Sequence, residues 1–445
     1  MAFTAIILAA GKGSRMKSEL PKVMHKVASA PLLSHIMNSA AQAGAQNTVV
    51  VVGHGAEMVS MAALALDDTA VIACQTEQRG TGHAVLQARA ALAESEGSVI
   101  VLYGDTPFIK PETLESMLEA REAGNDVVVL GFTPENAEGY GRLVMNGDSL
   151  EAIVEHKDGT DEQRKIGFCN SGVVCADGAN MLALLEQVGS NNANGEIYLT
   201  DIVAIARSAG QRCTAISCSE DETMGVNSRA DLARAEAAFQ ARRRAEALEN
   251  GTTLIAPETV FFARDTLVGA DVEIEQNVVF GPGVTVENGA HIRAFCHLEG
   301  CHVSEGAVVG PYARLRPGAE IAEGGKIGNF VEIKIAVIGK KAKVNHVSYV
   351  GDADIGAETN IGAGVIFCNY DGVFKHHSTI GEKVFVGSNS AVISPVTIGD
   401  HALIGTGSVI TKDVPEGDLV LARSQQLNKK GRGKRLMEIL RAKKK

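Results

Sequence analysis

The chain has 445 residues, 45% hydrophobic and 21% charged, which is the balance of a globular protein too long for one core and so of two or three domains. Its net charge of −11 argues against a nucleic-acid partner, and no apolar run approaches the roughly 18 residues of a membrane span. The opening AFTAIILAAG lacks the basic leader and polar cleavage region of a signal peptide, and the eight cysteines stand singly, without CxxC pairs or zinc spacing, so they read as reduced thiols of a cytoplasmic protein.

The first predicted element is the strand TAIIL at 4–8, which runs into LAAGKGSRMKSELPK at 8–22. This glycine-rich loop fits neither a Walker A frame nor a Rossmann fingerprint, because Met16 stands where a third glycine belongs. Taken alone it is a tight strand-to-helix turn with solvated lysines. Further β-branched runs follow at TVVVV (48–52), AVIAC (70–74), SVIVLYGD (98–105) and DVVVLGF (126–132). Amphipathic stretches such as PLLSHIMNSAAQAGA and ETLESMLEAREAG separate them and end in or near glycine, as helices often do. Nearly continuous apolar strands alternating with helices predict a parallel sheet covered on both faces, with ligands beyond the strands' carboxyl ends. The polar loops 11–22, 75–84 and 103–108 all follow strands, so they should share one sheet edge and form one pocket. Residues 228–248, rich in Ala, Arg and Glu, read as one exposed linking helix closed by Asn250 and Gly251.

Beyond that helix the apolar residues recur every sixth position. One series runs Val268, Ile274, Phe280, Val286, Ile292, Leu298; a second Val303, Val309, Leu315, Ile321, Ile327, Ile333; a third Val386, Val392, Ile398, Ile404, Ile410. Six-residue periodicity with frequent glycine predicts a parallel β-helix of stacked coils. The segment CNYDGVFKHHST at 368–379 stretches the spacing, and an excursion from a regular solenoid suggests a loop with a task. The tail after residue 424 is strongly basic and is expected to be a disordered, solvated segment, with phosphate neutralisation at a coenzyme site as the second choice.

LAAGKGSRM, Pro21–Lys22, GTGHA (80–84) and YGD (103–105) resemble the sugar-phosphate nucleotidyltransferases, and the hexads resemble the left-handed β-helix acyltransferases. With GYGR (139–142), VEHKDGTDEQR (154–164), GEIYLTDI (195–202), NIGAG (360–364) and CNYDG (368–372), the chain from about residue 4 to 424 resembles a bifunctional family. That family couples glucosamine-1-phosphate N-acetyltransferase with N-acetylglucosamine-1-phosphate uridylyltransferase. The resemblance implies an α/β Rossmann-like nucleotidyltransferase domain at 1–227, a linking helix at 228–250, an all-β left-handed β-helix at 251–424 and a basic tail at 425–445. It also implies a cytoplasmic homotrimer that uses Mg²⁺, UTP and acetyl-CoA, and makes UDP-N-acetylglucosamine for cell-wall and lipopolysaccharide precursors.

In the first half the resemblance assigns Leu8, Ala9, Ala10 and Gly11 to the nucleotide, and Arg15 and Lys22 to the pyrophosphate. Gln75, Gln78, Gly80 and Thr81 fall to uracil, Tyr103, Gly104 and Asp105 to the UDP-sugar, and Gly141, Glu155 and Asn170 to the hexosamine. Asp105 and Asn227 are the implied Mg²⁺ ligands, although Asn227 also suits a helix N-cap. Lys12 reads as solvated, and His83 and His156 as structural or exposed. Acetyl transfer needs a base for the amine and a donor for the oxyanion. The resemblance gives the base to His346, over His376, His377 and His401, and the Ala363 amide is the candidate oxyanion donor. Arg316, Lys334 and Lys375 fall to the sugar phosphate, Tyr349 and Asn360 to the sugar. Asn369, Tyr370, Ser388, Thr406 and Arg423 join Ala363 along the coenzyme, with Thr406 in place of a small apolar residue. Two rivals remain open: a glucose-1-phosphate nucleotidyltransferase with the β-helix as an oligomerisation module, and a non-catalytic sensor of sugar nucleotides.

Overall fold

The computed structural model describes residues 2–95, 97–190 and 195–444, and the chain packs as two compact units, Met1–Ala241 and Arg242–Lys445. In the first unit, strand Phe3–Ala9 pairs in parallel with Ala45–Val52 and Ser98–Tyr103, and Val71–Cys74 pairs in parallel with Ala45–Val52. Alternate residues of these strands feed two cores. Ile7, Val50, Ile100 and Leu102 pack with Leu33 and Ile36 of helix Leu32–Gln42 and with Leu114 and Leu118 of helix Pro111–Glu122. Ile6, Val51, Val99 and Val101 pack with Val85, Leu92 and Leu184 from helices on the opposite face. The continuous apolar runs are therefore buried on both sides, each large side chain contributing about 1.5–3 kcal/mol.

The sheet is mixed, not wholly parallel. Strand Cys169–Asp177 enters antiparallel between Ser98–Tyr103 and Val127–Phe132, and a hairpin of Arg142–Asn146 with Ser149–Val154 extends beside it. The first half of Cys169–Asp177, polar and interrupted by Gly172, breaks register between Asn170 and Val174, which hid it as a strand.

The second unit is a left-handed parallel β-helix whose hexads sort into three stacked ladders. Ile274 pairs with Ile292, then Val309, Ile327, Val344, Ile361, Val386, Ile404 and Val420. Phe280, Leu298, Leu315 and Ile333 make the second ladder, and Val286, Val303, Ile321 and Ile338 the third. All three point into one continuous core. The segment 368–379 leaves this pattern while Ile355 still pairs with Ile380 and Ile361 with Val386, so the excursion is inserted without shifting the coils.

Two sequence expectations change. The helix runs Arg229–Glu249 and is not an exposed linker: Ala235 and Phe239 are buried against Met16, Leu32 and Phe108, while Ala247 joins the β-helix core. Small Ala residues hide this from composition. The unit boundary falls inside the helix, and Glu236 Oε2 accepts from the Ala28 amide at 2.7 Å. A fragment ending at 228 should therefore fail to fold stably, whereas 1–250 keeps that core; thermal unfolding and UDP-sugar formation compare the two, and an inactive but folded 1–250 fragment overturns the division. The tail is not disordered throughout. Arg432–Ala442 forms an exposed helix after Gly431, with Leu436, Met437, Ile439 and Leu440 recurring at helical spacing among the Lys and Arg. Lys445, the last tail residue, lies outside the described residues.

Candidate functional site

The three strand-end loops of the first unit do converge. They line one cavity of about 380 Å³ that gathers Leu8, Ala9, Ala10, Gly11, Lys22, Gln75, Gln78, Gly80, Thr81, Tyr103 and Asp105. A second cavity of about 460 Å³ holds Gly141, Glu155 and Asn170 and shares Thr81 and Tyr103 with the first as a common wall. The loop is built around Gly13, at φ 63°, where a Cβ would come within 2.7 Å of the Lys22 Cβ. Only glycine lets the loop fold back on Lys22. Met16, in the third-glycine place, is fully buried with Val27, Leu32 and Phe239, so it anchors the far end of the loop. Gln78 Nε2 donates to the Ala10 carbonyl at 2.9 Å, and the Gly104 amide donates to the Leu8 carbonyl at 3.0 Å. Gln75 Nε2 lies 3.3 Å from the Gly80 carbonyl and 3.1 Å from His83 Nδ1, which gives His83 its structural part. Arg15, on the turn Ser14–Met16, is exposed and lies outside the cavity lining, and Lys12 is exposed.

Lys22 Nζ meets Asp105 Oδ2 and donates to Asn227 Oδ1 at 3.1 Å, so residues distant in sequence place two oxygens around one cation. The Val226 amide donates to the Asp105 carbonyl at 2.9 Å, which draws Asn227 to the cavity. Asn227 is not the cap of the following helix. Ser228 takes that part, its Oγ accepting from the Asp231 amide at 3.2 Å, while Asp231 Oδ2 accepts from the Asn227 amide at 3.1 Å.

In the β-helix, His346 ends strand Lys343–His346 and is exposed. Its Nδ1 lies 2.8 Å from Asn329 Oδ1 on the previous coil. The competing histidines face carboxylates: His376 Nε2 is 2.7 Å from Asp371 Oδ2, and His377 Nε2 is 3.0 Å from Asp354 Oδ2. His401, at φ 58°, is an exposed corner residue. Arg316 Nη1 donates to Glu332 Oε1 at 2.8 Å. Asn369, nearly buried, donates to Asp352 Oδ2 and lies 3.4 Å from the Tyr349 hydroxyl. Ala363, Ser388 and Thr406 each stand two residues beyond the paired Ile361, Val386 and Ile404, so they recur at one place on three successive coils. Arg423 Nη1 reaches the Thr406 carbonyl at 2.6 Å on the same side. Asn360 pairs with Lys343, and Tyr370 is exposed on the excursion.

Residues 5–167 match the model of the MobA-like NTP transferase domain, and residues 377–412 that of the bacterial transferase hexapeptide. The chain is 60% identical to the bifunctional protein GlmU of Ruegeria sp. strain TM1040, over 100% of this chain and 99% of that one. It is 57% identical to GlmU of Roseobacter denitrificans, over 99% and 97%, and 51% identical to GlmU of Azorhizobium caulinodans, over 96% and 95%. The chain belongs to the GlmU family.

As a GlmU-family chain it is a bifunctional enzyme, an acetyltransferase and a uridylyltransferase on one polypeptide. Its nucleotidyl transfer belongs to a metal-dependent class, and the chain has a fitting donor set. Asp105 and Asn227 already direct oxygens at the Lys22 cation, and oxygen ligands suit a hard divalent ion. A second group, Glu273, Glu275 and His291, also stands close enough to hold a metal, but it lies on early coils of the β-helix.

Electrostatics mark both halves. Burial above all, with Asp158 and Asp201 adding, raises the Glu155 carboxyl against a Thr200 hydrogen bond. Sugar hydroxyls donating to it would relieve that cost. Burial also pushes the Tyr103 hydroxyl up, helped by Asp105. The Lys334 ammonium is held below its ordinary range first by Lys375 beside it, then by desolvation and Arg316, with Asp352 opposing. Lys334 thus lies beside two further cations, of which Arg316 is paired with Glu332. Asp371 is pulled down to about 2, first by His376, then by the Phe374 and Val373 amides. Its folded value is below the ordinary carboxylate range, so its hold on the excursion is full above about pH 4 and lost as pH falls toward 2. Asp371→Asn should accordingly speed tryptic cleavage after Lys375 severalfold at neutral pH; unchanged cleavage would remove Asp371 as the organiser of this loop.

Sequence reasoning overlooked Glu196, Tyr198 and Thr200 as individual wall residues of the two cavities. Their only signal was the GEIYLTDI motif, which gives no direction for the side chains. It also missed Asn329, which opens the stretch NFVEIK, where only Lys334 drew a role.

Proposed function

We propose that the β-helix acetylates glucosamine-1-phosphate with acetyl-CoA, and that the first unit then transfers UMP from UTP to N-acetylglucosamine-1-phosphate. The observation that carries this reading is the pair of cavities sharing the Thr81–Tyr103 wall. One is lined by the glycine loop, Lys22 and Asp105, the other by Glu155 and Asn170. In-line transfer from a nucleotide to a sugar phosphate needs two such adjoining sites.

In the first, Gln75, Gln78 and the backbone at Gly80 and Thr81 read the pyrimidine, and Gly141, Glu155 and Asn170 hold the sugar. The amides beside Gly11 approach the phosphates, while Lys22 and Arg15 stabilise the departing pyrophosphate. Mg²⁺, held by Asp105 and Asn227, supplies charge neutralisation to the phosphates when bound. In the second, Arg316, Lys334 and Lys375 anchor the sugar phosphate, and Tyr349 and Asn360 orient the sugar. His346 accepts the proton of the attacking amine, and the Ala363 amide donates to the thioester oxygen as it gains charge. Asn369, Tyr370, Ser388, Thr406 and Arg423 line the coenzyme. The enzyme acts in the cytoplasm as a homotrimer; the exposed stacked rings of Phe295, Tyr312 and Phe330 favour a covered coil corner.

Mass spectrometry of products from glucosamine-1-phosphate, acetyl-CoA, UTP and Mg²⁺ tests the reading. N-acetylglucosamine-1-phosphate should appear first and UDP-N-acetylglucosamine second. Preference for glucose-1-phosphate, with no acetylated product, would overturn it.

A further inference from the structure

We propose that Asn329 is a positioning residue for acetyl transfer: it holds the His346 imidazole as the Nδ1–H tautomer, leaving the Nε2 lone pair to take the amine proton. The inference rests on His346 being the base. Asn329 and His346 are paired in register on adjacent coils, and Nδ1 lies 2.8 Å from Asn329 Oδ1. An amide oxygen only accepts, so Nδ1 carries the proton, and in the neutral ring Nε2 is then the free acceptor.

The surrounding backbone makes this contact a fixed one. A Cβ at Gly328 would fall 1.8 Å from the Asn345 carbonyl, so the two coils approach here more closely than any side chain permits. The Val347 amide donates to the Asn329 carbonyl at 2.9 Å, and the His346 carbonyl accepts from the Gly364 amide and from Ser348 Oγ. With the backbone of His346 pinned on both sides, the ring's orientation is what remains, and Asn329 sets it.

The neutrality of the partner matters as much as its position. His376 and His377, by contrast, face the carboxylates of Asp371 and Asp354. A base that must be neutral near pH 7 is better served by an amide, which fixes the tautomer without adding negative charge. Of the strands packed against His346, Lys326–Asn329 offers Lys326, its own strand offers Lys343, and Asn360–Ile361 offers no charge. Lys326 and Lys343 stand three residues back along the coil. On the neighbouring face lie Glu332 and Lys334 of one strand, and Tyr349, Asp352 and Asp354 of the next.

The test is the pH dependence of acetyl transfer by full-length wild type, Asn329→Ala, Asn329→Asp and His346→Ala, with acetyl-CoA binding by calorimetry as the check that the β-helix is intact. Asn329→Ala should lose about tenfold or more in kcat with KM little changed and the acid limb unmoved. Asn329→Asp keeps the tautomer but stabilises imidazolium, so its acid limb should move up by about one pH unit, with activity approaching wild type in alkali. A purely structural asparagine would not move that limb. If His346→Ala is inactive while Asn329→Asp leaves the limb in place and Asn329→Ala keeps more than half of kcat, the positioning role fails and the base assignment stands. If His346→Ala stays active, the base assignment fails and takes this inference with it.

Discussion

His346→Ala will lower acetyl transfer by about 10²–10⁴, the usual contribution of a positioned base, and leave uridylyl transfer intact. The amine of the sugar is largely protonated near neutral pH and cannot attack a thioester until a proton is removed. Within KVNHVSYVG no Asp, Glu or Cys is present to take it. His376 and His377 are engaged by Asp371 and Asp354. The defect should shrink as pH rises and more of the amine is already neutral, a rescue that a packing role for His346 would not produce. The side chain is exposed and its loss opens no core cavity, so thermal stability should change by less than about 0.5 kcal/mol. A pH profile of both activities decides the matter: a variant that keeps more than a third of its acetyl transfer near pH 7 returns the role of base to the histidines of the excursion.

Asp105→Asn will cut uridylyl transfer by about 10²–10³ or more while acetyl transfer stays close to wild type. The substitution is isosteric, and the bond from the Val226 amide goes to the Asp105 backbone carbonyl, so the cavity keeps its shape. What goes is the charge that opposes Lys22 and that would hold Mg²⁺ together with Asn227. Calorimetric Mg²⁺ binding in the presence of UTP should weaken in parallel. Near-normal UDP-sugar formation at low millimolar Mg²⁺ would remove Asp105 from the mechanism.

How much of this was legible in the sequence depended on periodicity. The hexads announced the β-helix because each apolar residue repeats a single local environment, and the ladder through Ile274, Ile292 and Val309 realises that repeat directly. The strand-end loops were legible because strands and helices alternate, and the shared pocket follows from parallel pairing. Strand Cys169–Asp177 was not, since its Asn170, Ser171 and Gly172 carry the pocket wall rather than an alternating core face. Nor was the burial of helix Arg229–Glu249, whose inward residues include Ala235 and Ala247, neutral in composition and informative only in place. In the candidate sites the motifs named individual residues, but contacts across long separations were invisible. Lys22 meets Asn227, Asn329 meets His346, and Ser228 displaces Asn227 as the helix cap.

The excursion at 368–379 behaves as a cassette set into the solenoid. Because Ile355 still pairs with Ile380 and Ile361 with Val386 across it, the coils tolerate an insertion at this point without a change of register. The loop carries Lys375 and Tyr370, whereas Ser388 and Thr406 belong to the coils themselves. Under the proposed roles, the segment therefore carries one contact to the sugar phosphate, Lys375, beside two to the coenzyme, Asn369 and Tyr370. Exchange of this one segment would alter acceptor and donor contacts together, as a single cassette, while the coils on either side keep their register.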